Sequence, residues 1–183
     1  HQEARRQRQM CIRDRAEHLA KHAIPFEIIP GISAASGCSS YAGIPLTHRG
    51  LANGVRYLTG HTRNGQVLEL DWRGLADPDT TLVIYMGLAN LDIITRKLIG
   101  HGLDRKTPAA AIQEGTTKEQ RLIISSLYDI SHTVHKVNMT SPVTVIVGRV
   151  VSLAPRLAWF GNKNMSALPS PDWYTILLHG KGL

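Results

Sequence analysis

The sequence predicts an α/β fold, a mixed sheet flanked by helices. Two patterns and one composition point there. Short apolar runs rich in β-branched residues alternate with stretches whose apolar residues recur at helical spacing. Glycine, proline or aspartate clusters mark most of the changeovers. With 43% hydrophobic and 19% charged residues in a chain of 183, there is apolar side chain enough for one packed core.

In chain order, 15–22 reads as a helix, and Pro25 separates it from FEIIP at 26–30, an apolar run bounded by prolines that predicts a short buried strand. GISAASGCSSYAG at 31–43 follows. Its small residues suit a helix packed closely on a sheet, with Gly31 for the turn and Ser33 as N-cap, and the competing reading is a loop. GIPLTHRG at 43–50 is a loop, GVRYLTGH at 54–61 a second strand, and the stretch up to Asp77, Pro78 and Asp79 a short helix with its turns. TTLVIYMG at 80–87 is the clearest strand, and 88–100 the helix after it, stopped by Gly100 and Gly102. TPAAAIQEGT at 107–116 and RLIISSL at 121–127 are strands paired across a tight connection. A helix over 128–138 and a long strand over 144–153, with Gly148 as a bulge, complete the domain. Residues 161–183 read as a tail.

Composition narrows function. No apolar run approaches the roughly 18 residues of a membrane span, and HQEARRQRQM has no apolar core of the secretory kind, so a cytoplasmic protein without membrane contact is expected. Two cysteines, Cys11 and Cys38, make neither a disulfide framework nor a four-thiolate metal site. The net charge of +7 invites an anionic partner. Arg5, Arg6, Arg8, Arg13 and Arg15 against Glu3 and Asp14 place +3 of it in the first fifteen residues. The remaining +4 is dispersed, and with 5% aromatic residues there is no basic stripe interleaved with stacking rings, so no nucleic-acid partner is expected.

Three predicted strands end in small turns: FEIIP into PGIS, TLVIYM into MG, and AAAIQE into EGT. Ligands of open α/β sheets collect at the carboxyl ends of strands, where backbone amides and helix N-termini are available. Side by side, these ends would make one crevice of Gly31, Ser33, Ala34, Met86, Gly87 and Gly115, with Met86 as a soft wall for a flat ring. The same glycines also read as plain turn formers. His132 and His135, three apart on a predicted helix, lack the further ligands of a metal site and read as a solvated face, so no metal is expected. His48 and His61 lie at strand-edge turns, where each is either ligand-facing or a hydrogen-bonded loop histidine. There is no nucleophile elbow, Walker loop or GxGxxG.

EIIPGISAASGCSSYAGIPLTHR, YLTGH, TLVIYMGL, TPAAAIQEGTTKEQR, SPVTVIVGRVV and LAWF occur in series, and over 16–160 the chain resembles the second domain of the tetrapyrrole methylases, in particular the uroporphyrinogen-III C-methyltransferases. The resemblance implies S-adenosylmethionine as cofactor, uroporphyrinogen III as substrate, precorrin-2 as product on the way to sirohaem and cobalamin, and a homodimer. It places cofactor contacts on Ser33 and Ala34 (a Thr-Ala pair in the family), Met86 and Gly115, with Ser141 and Pro142 lining the same pocket. Arg49, beside His48, is either a contact to substrate carboxylates or an exposed loop arginine. The other readings are a precorrin methyltransferase and a non-catalytic fragment.

The family's first-domain motifs, among them its catalytic acidic residue and lysine, do not occur, so no catalytic residue is assigned and a fragment inactive alone is expected. MCIRDR at 10–15 is encoded by the transposase end ATGTGTATAAGAGACAG plus one purine, and predicts that residues 1–15 are an adapter-derived, non-native segment.

Overall fold

The computed structural model describes residues 10–61, 68–160 and 176–179. It divides into two units, His1–Ile32 and Ser33–Leu183.

In the first unit, helix α1 (Met10–Lys21) crosses the expected boundary at residue 15 without a break. The strand expected at 26–30 is not formed: residues 24–33 are without regular secondary structure, and Phe26, Ile28 and Ile29 are exposed. Apolar composition favours a pleated, half-buried surface but supplies no ladder, and 26–30 enter no strand pairing among the described residues.

Among its described residues the second unit holds a six-stranded mixed sheet of order β1-β2-β5-β3-β4-β6. Its strands are β1 (Gly54–Thr59), β2 (Thr80–Tyr85), β3 (Pro108–Gln113), β4 (Arg121–Ser126), β5 (Val143–Val147) and β6 (Ile176–His179). β1 and β2 are parallel, and every other adjacent pair is antiparallel. The carboxyl ends of β1, β2 and β3 therefore share one edge with the starts of β4 and β5. The helices are α2 (Ala34–Tyr41), α3 (Trp72–Leu75), α4 (Leu91–Gly100), α5 (Ile130–Lys136) and α6 (Ala154–Leu157).

Strand alternation splits the core between two faces. Leu82, Ile84, Ala109, Ala111, Ile123, Val145 and Val147 pack with Trp72, Leu91, Ile94, Leu98, Ile130 and Val134, so α3, α4 and α5 cover one face. Ala110, Ile112, Leu122, Ile124 and Ile146 pack with Cys38, Ala42, Val150 and Ala154, so α2 and the turn after β5 cover the other. Every residue of β3 and β5 is buried, which is why these strands read as continuous apolar runs instead of alternating ones.

Further expectations need correction. The strand placed at 144–153 stops at Val147, and Arg149–Leu153 is a 3-10 turn. Gly148 ends the ladder instead of bulging it: at φ 149° it turns the chain while its N–H still donates to Pro108 O at 2.9 Å. The helix after β2 starts with a 3-10 turn, Leu88–Asn90, before α4. In the segment read as a tail, Ile176–His179 form β6 against β4, a four-residue run too short for periodicity to reveal; 161–175 and 180–183 lie outside the described residues.

Candidate functional site

The carboxyl edge of the sheet is built around α2. Ser33, with extended φ and ψ of −70° and 154°, caps it, its Oγ accepting the Ser36 N–H at 3.2 Å. The Ala35 N–H, another first-turn amide without an intrahelical partner, donates to the Tyr85 hydroxyl at 3.1 Å. One turn further on, Cys38 Sγ donates to Thr144 Oγ1 at 3.7 Å. Tyr85 and Thr144 share a rung of the β2–β5 ladder, and Thr144 pairs with Ile112 of β3 on its other side. Helix α2 thus spans three strands at their site-bearing ends.

Two of the strands that end here, β2 and β3, turn sharply. Met86 follows β2 at φ 52° and Glu114 follows β3 at φ 48°, left-handed conformations that cost an ordinary residue about 1 kcal/mol or more. The Glu114 N–H donates to Pro142 O at 3.2 Å, which ties the β3 end to the entry of β5. Ser141–Pro142 is a cis peptide. Met86 is 43% exposed, and Ser141 and Pro142 are exposed beside it at the sheet edge.

The sheet order revises the crevice expected from sequence. The ends of β2 and β3 are not adjacent: β5 runs between them, so Ser141 and Pro142 lie between Met86 and Gly115. Ser33, Ala34, Met86 and Gly115 all lie at this one edge. Gly31 falls in the first unit. Gly115 is glycine for a packing reason: a Cβ there would stand 2.3 Å from Cys38 Sγ. Gly87 likewise has no room, since a Cβ would meet Ile84 Cγ2 at 2.6 Å.

His48 and Arg49 sit elsewhere. His48 bridges Ala52, the Asn53 N–H donates to Asp79 O, and Arg149 bonds Leu51 O and pairs with Asp79, which fixes the loop at the amino ends of β1 and β2. The six residues of β2 at about 3.3 Å each put that end roughly 20 Å from Met86. Both side chains are exposed. His61, also exposed, follows β1 at the carboxyl edge. His132 and His135 are exposed on α5, and among the described residues no three His, Cys, Asp or Glu gather as a metal group. No described helix is long and apolar enough to cross a membrane.

Sequence reasoning passed over Tyr85, Cys38 and Glu114. Only their places at strand ends or beneath a glycine pointed to them, and the hydrogen bonds they make are long-range. Burial pushes the Cys38 thiol above its ordinary value, with the Thr144 bond opposing. A raised folded value contributes stability that is complete below the ordinary thiol range and is lost as pH rises through the folded value. Between pH 8 and 10.5 the native melting temperature should therefore fall further than that of Cys38→Ala; parallel falls would mean the thiol is not so held.

A mixed six-stranded sheet with a short helix laid across two left-handed strand ends defines an α/β domain whose candidate site lies at the carboxyl edge of the sheet. A family model of the tetrapyrrole (corrin/porphyrin) methylases matches residues 12–131, and the chain belongs to that family. Siroheme synthases of Azotobacter vinelandii and of Pseudomonas fluorescens strain SBW25 are 51% and 52% identical to it over 144 residues, 79% of this chain. The chain spans 31% of the length of these relatives. Among solved structures, uroporphyrin-III C-methyltransferase from Thermus thermophilus, complexed with S-adenyl homocysteine, is 31% identical at a TM-score of 0.62, covering 76% of this chain and 59% of that one. A cobalt precorrin-4 methyltransferase superposes with a TM-score of 0.69 over 76% of this chain and 59% of that one, and at 16% identity it shows the fold alone.

Proposed function

We propose that this chain supplies one wall of the S-adenosylmethionine site of a uroporphyrinogen-III C-methyltransferase, the activity that leads to precorrin-2. The observation that carries the reading is the convergence of Ser33, Ala34, Met86 and Gly115 at one sheet edge, with two strand ends in left-handed turns on either side of Pro142. The siroheme synthase relatives and the Thermus enzyme with its bound S-adenyl homocysteine support it.

The residues present fit such a cofactor. Ala34 is exposed at the start of α2, where its small side chain lets a ligand approach closely, and the exposed Met86 thioether is an adaptable apolar wall for a flat base. When bound, the cofactor supplies a methyl group on a positively charged sulfur, open to in-line attack by an electron-rich pyrrole carbon. The chain's own contribution is to hold and orient: Pro142 fixes the β3 end through Glu114, and α2 is fixed by its bonds to Tyr85 and Thr144. Orientation of this kind accounts for much of the rate when two bound partners react.

Substrate carboxylates are assigned to Arg49 and His48, apart from the cofactor edge. Arg49→Ala should weaken binding of uroporphyrin III, the stable oxidised analogue, by about fivefold and leave S-adenosylhomocysteine affinity within about twofold. Fluorescence titration measures the first and calorimetry the second. Unchanged porphyrin affinity removes Arg49 from the substrate surface, and absence of any S-adenosylhomocysteine binding overturns the cofactor reading. A homodimer in the cytoplasm belongs to the same proposal, and sedimentation checks the dimer.

A further inference from the structure

We infer that Tyr85 is a positioning residue that sets the gap between the N-terminus of α2 and the Met86 turn, and so the width of the cofactor edge. This rests on the cofactor reading above. Tyr85 is the last residue of β2, and Met86 is the next. Its hydroxyl oxygen accepts the Ala35 N–H at 3.1 Å, within the same first turn whose cap is Ser33. One side chain therefore joins the strand end bearing Met86 to the helix end bearing Ser33 and Ala34.

The joint is braced from two sides. The Tyr57 ring stands parallel to the Tyr85 ring, with centroids 6.3 Å apart and planes 7° from each other, which restricts the ring that carries the hydroxyl. The Gly60 N–H donates to Tyr85 O at 2.7 Å, and a Cβ on Gly60 would stand 2.4 Å from Gly87 Cα, so the backbone on both sides of Met86 is pinned to the end of β1. Met86 keeps its left-handed φ of 52° within this frame. The free parameter is then how far α2 stands from the turn, and the Ala35–Tyr85 bond fixes it. The second tether, Cys38 to Thr144, lies one turn along the helix and leaves its first turn free to tilt.

Tyr85→Phe removes the oxygen and little else. It should raise the dissociation constant for S-adenosylhomocysteine about fivefold to tenfold in calorimetry of the 183-residue chain. The double-mutant cycle with Met86→Ala separates positioning from general loosening. If Tyr85 acts by placing the helix against Met86, Tyr85→Phe changes affinity less than about twofold once the Met86 side chain is gone. The same fold loss in both backgrounds, or no loss in the native background, overturns the inference. The two readings fail differently: if Met86→Ala weakens binding and Tyr85→Phe does not, only the positioning role falls. If neither changes affinity, or the chain binds no S-adenosylhomocysteine, the cofactor reading falls and takes this one with it.

Discussion

Gly115→Ala is expected to weaken S-adenosylhomocysteine binding at least about tenfold and to cost about 2 kcal/mol of folding stability. The added methyl would stand 2.3 Å from Cys38 Sγ and 3.3 Å from both Cys38 Cβ and Ile112 Cγ2. Ile112 is buried in β3 and cannot yield, so the strain falls on α2, which must lift or tilt. That helix carries Ser33 and Ala34 at its start, which is how a packing fault beneath the sheet edge reaches the proposed site. Removing the sulfur should recover part of the loss. In Gly115→Ala/Cys38→Ala the shortest overlap is gone and the two 3.3 Å contacts remain, so binding should return to within about threefold of Cys38→Ala alone. Urea melts and calorimetry read the two effects. If the single variant is as stable and binds as well as the native chain, α2 does not press on Gly115.

Gly43→Ala should be the more damaging substitution for the fold itself, at about 3 kcal/mol, or a fall in melting temperature of about 10 °C. Gly43 ends the turn after α2 at φ 66°, and a Cβ there would stand 2.4 Å from both Ala158 N and Leu157 C. Both neighbours are backbone atoms at the end of α6, so no rotamer change relieves the contact. The chain after α6 is held against α2 from two sides, since Trp159 Nε1 donates to Ser40 O at 3.0 Å and Tyr41 lies against the Trp159 and Phe160 rings. Thermal melts followed by circular dichroism measure the change. A variant melting within 2 °C of the native chain would show that α6 does not rest on this turn.

How far the sequence disclosed this arrangement depends on the range of each interaction. Helix α2 and its Ser33 cap were legible because the capping bond is local, three residues from donor to acceptor. β2, β3 and β4 were legible because buried strands carry their signature in their own composition, and the β3–β4 pairing because a tight connection leaves one geometry. FEIIP carried the same composition and formed no strand, since a ladder also needs a neighbour. The insertion of β5 between β2 and β3 was not legible. Nothing local in TVIVG states that its partners lie 59 to 65 residues before it on one side and 32 to 38 on the other, yet that order puts Pro142 between Met86 and Gly115. Met86 and Gly115 were picked out as a loose set of strand ends, and the family resemblance then gave them roles. The Tyr85 and Cys38 tethers join residues 50 and 106 positions apart, and no pattern of spacing marks them.

In the proposed function the carboxyl edge around Met86 receives S-adenosylmethionine. Calorimetric titration of S-adenosylhomocysteine into the native chain and into Met86→Arg tests it most directly. Met86 is exposed, so arginine there should leave the melting temperature within about 2 °C while placing a long charged side chain across the edge. Saturable binding to the native chain and at least about a hundredfold loss in Met86→Arg is the result this arrangement requires. Equal affinity in two equally folded chains would contradict it.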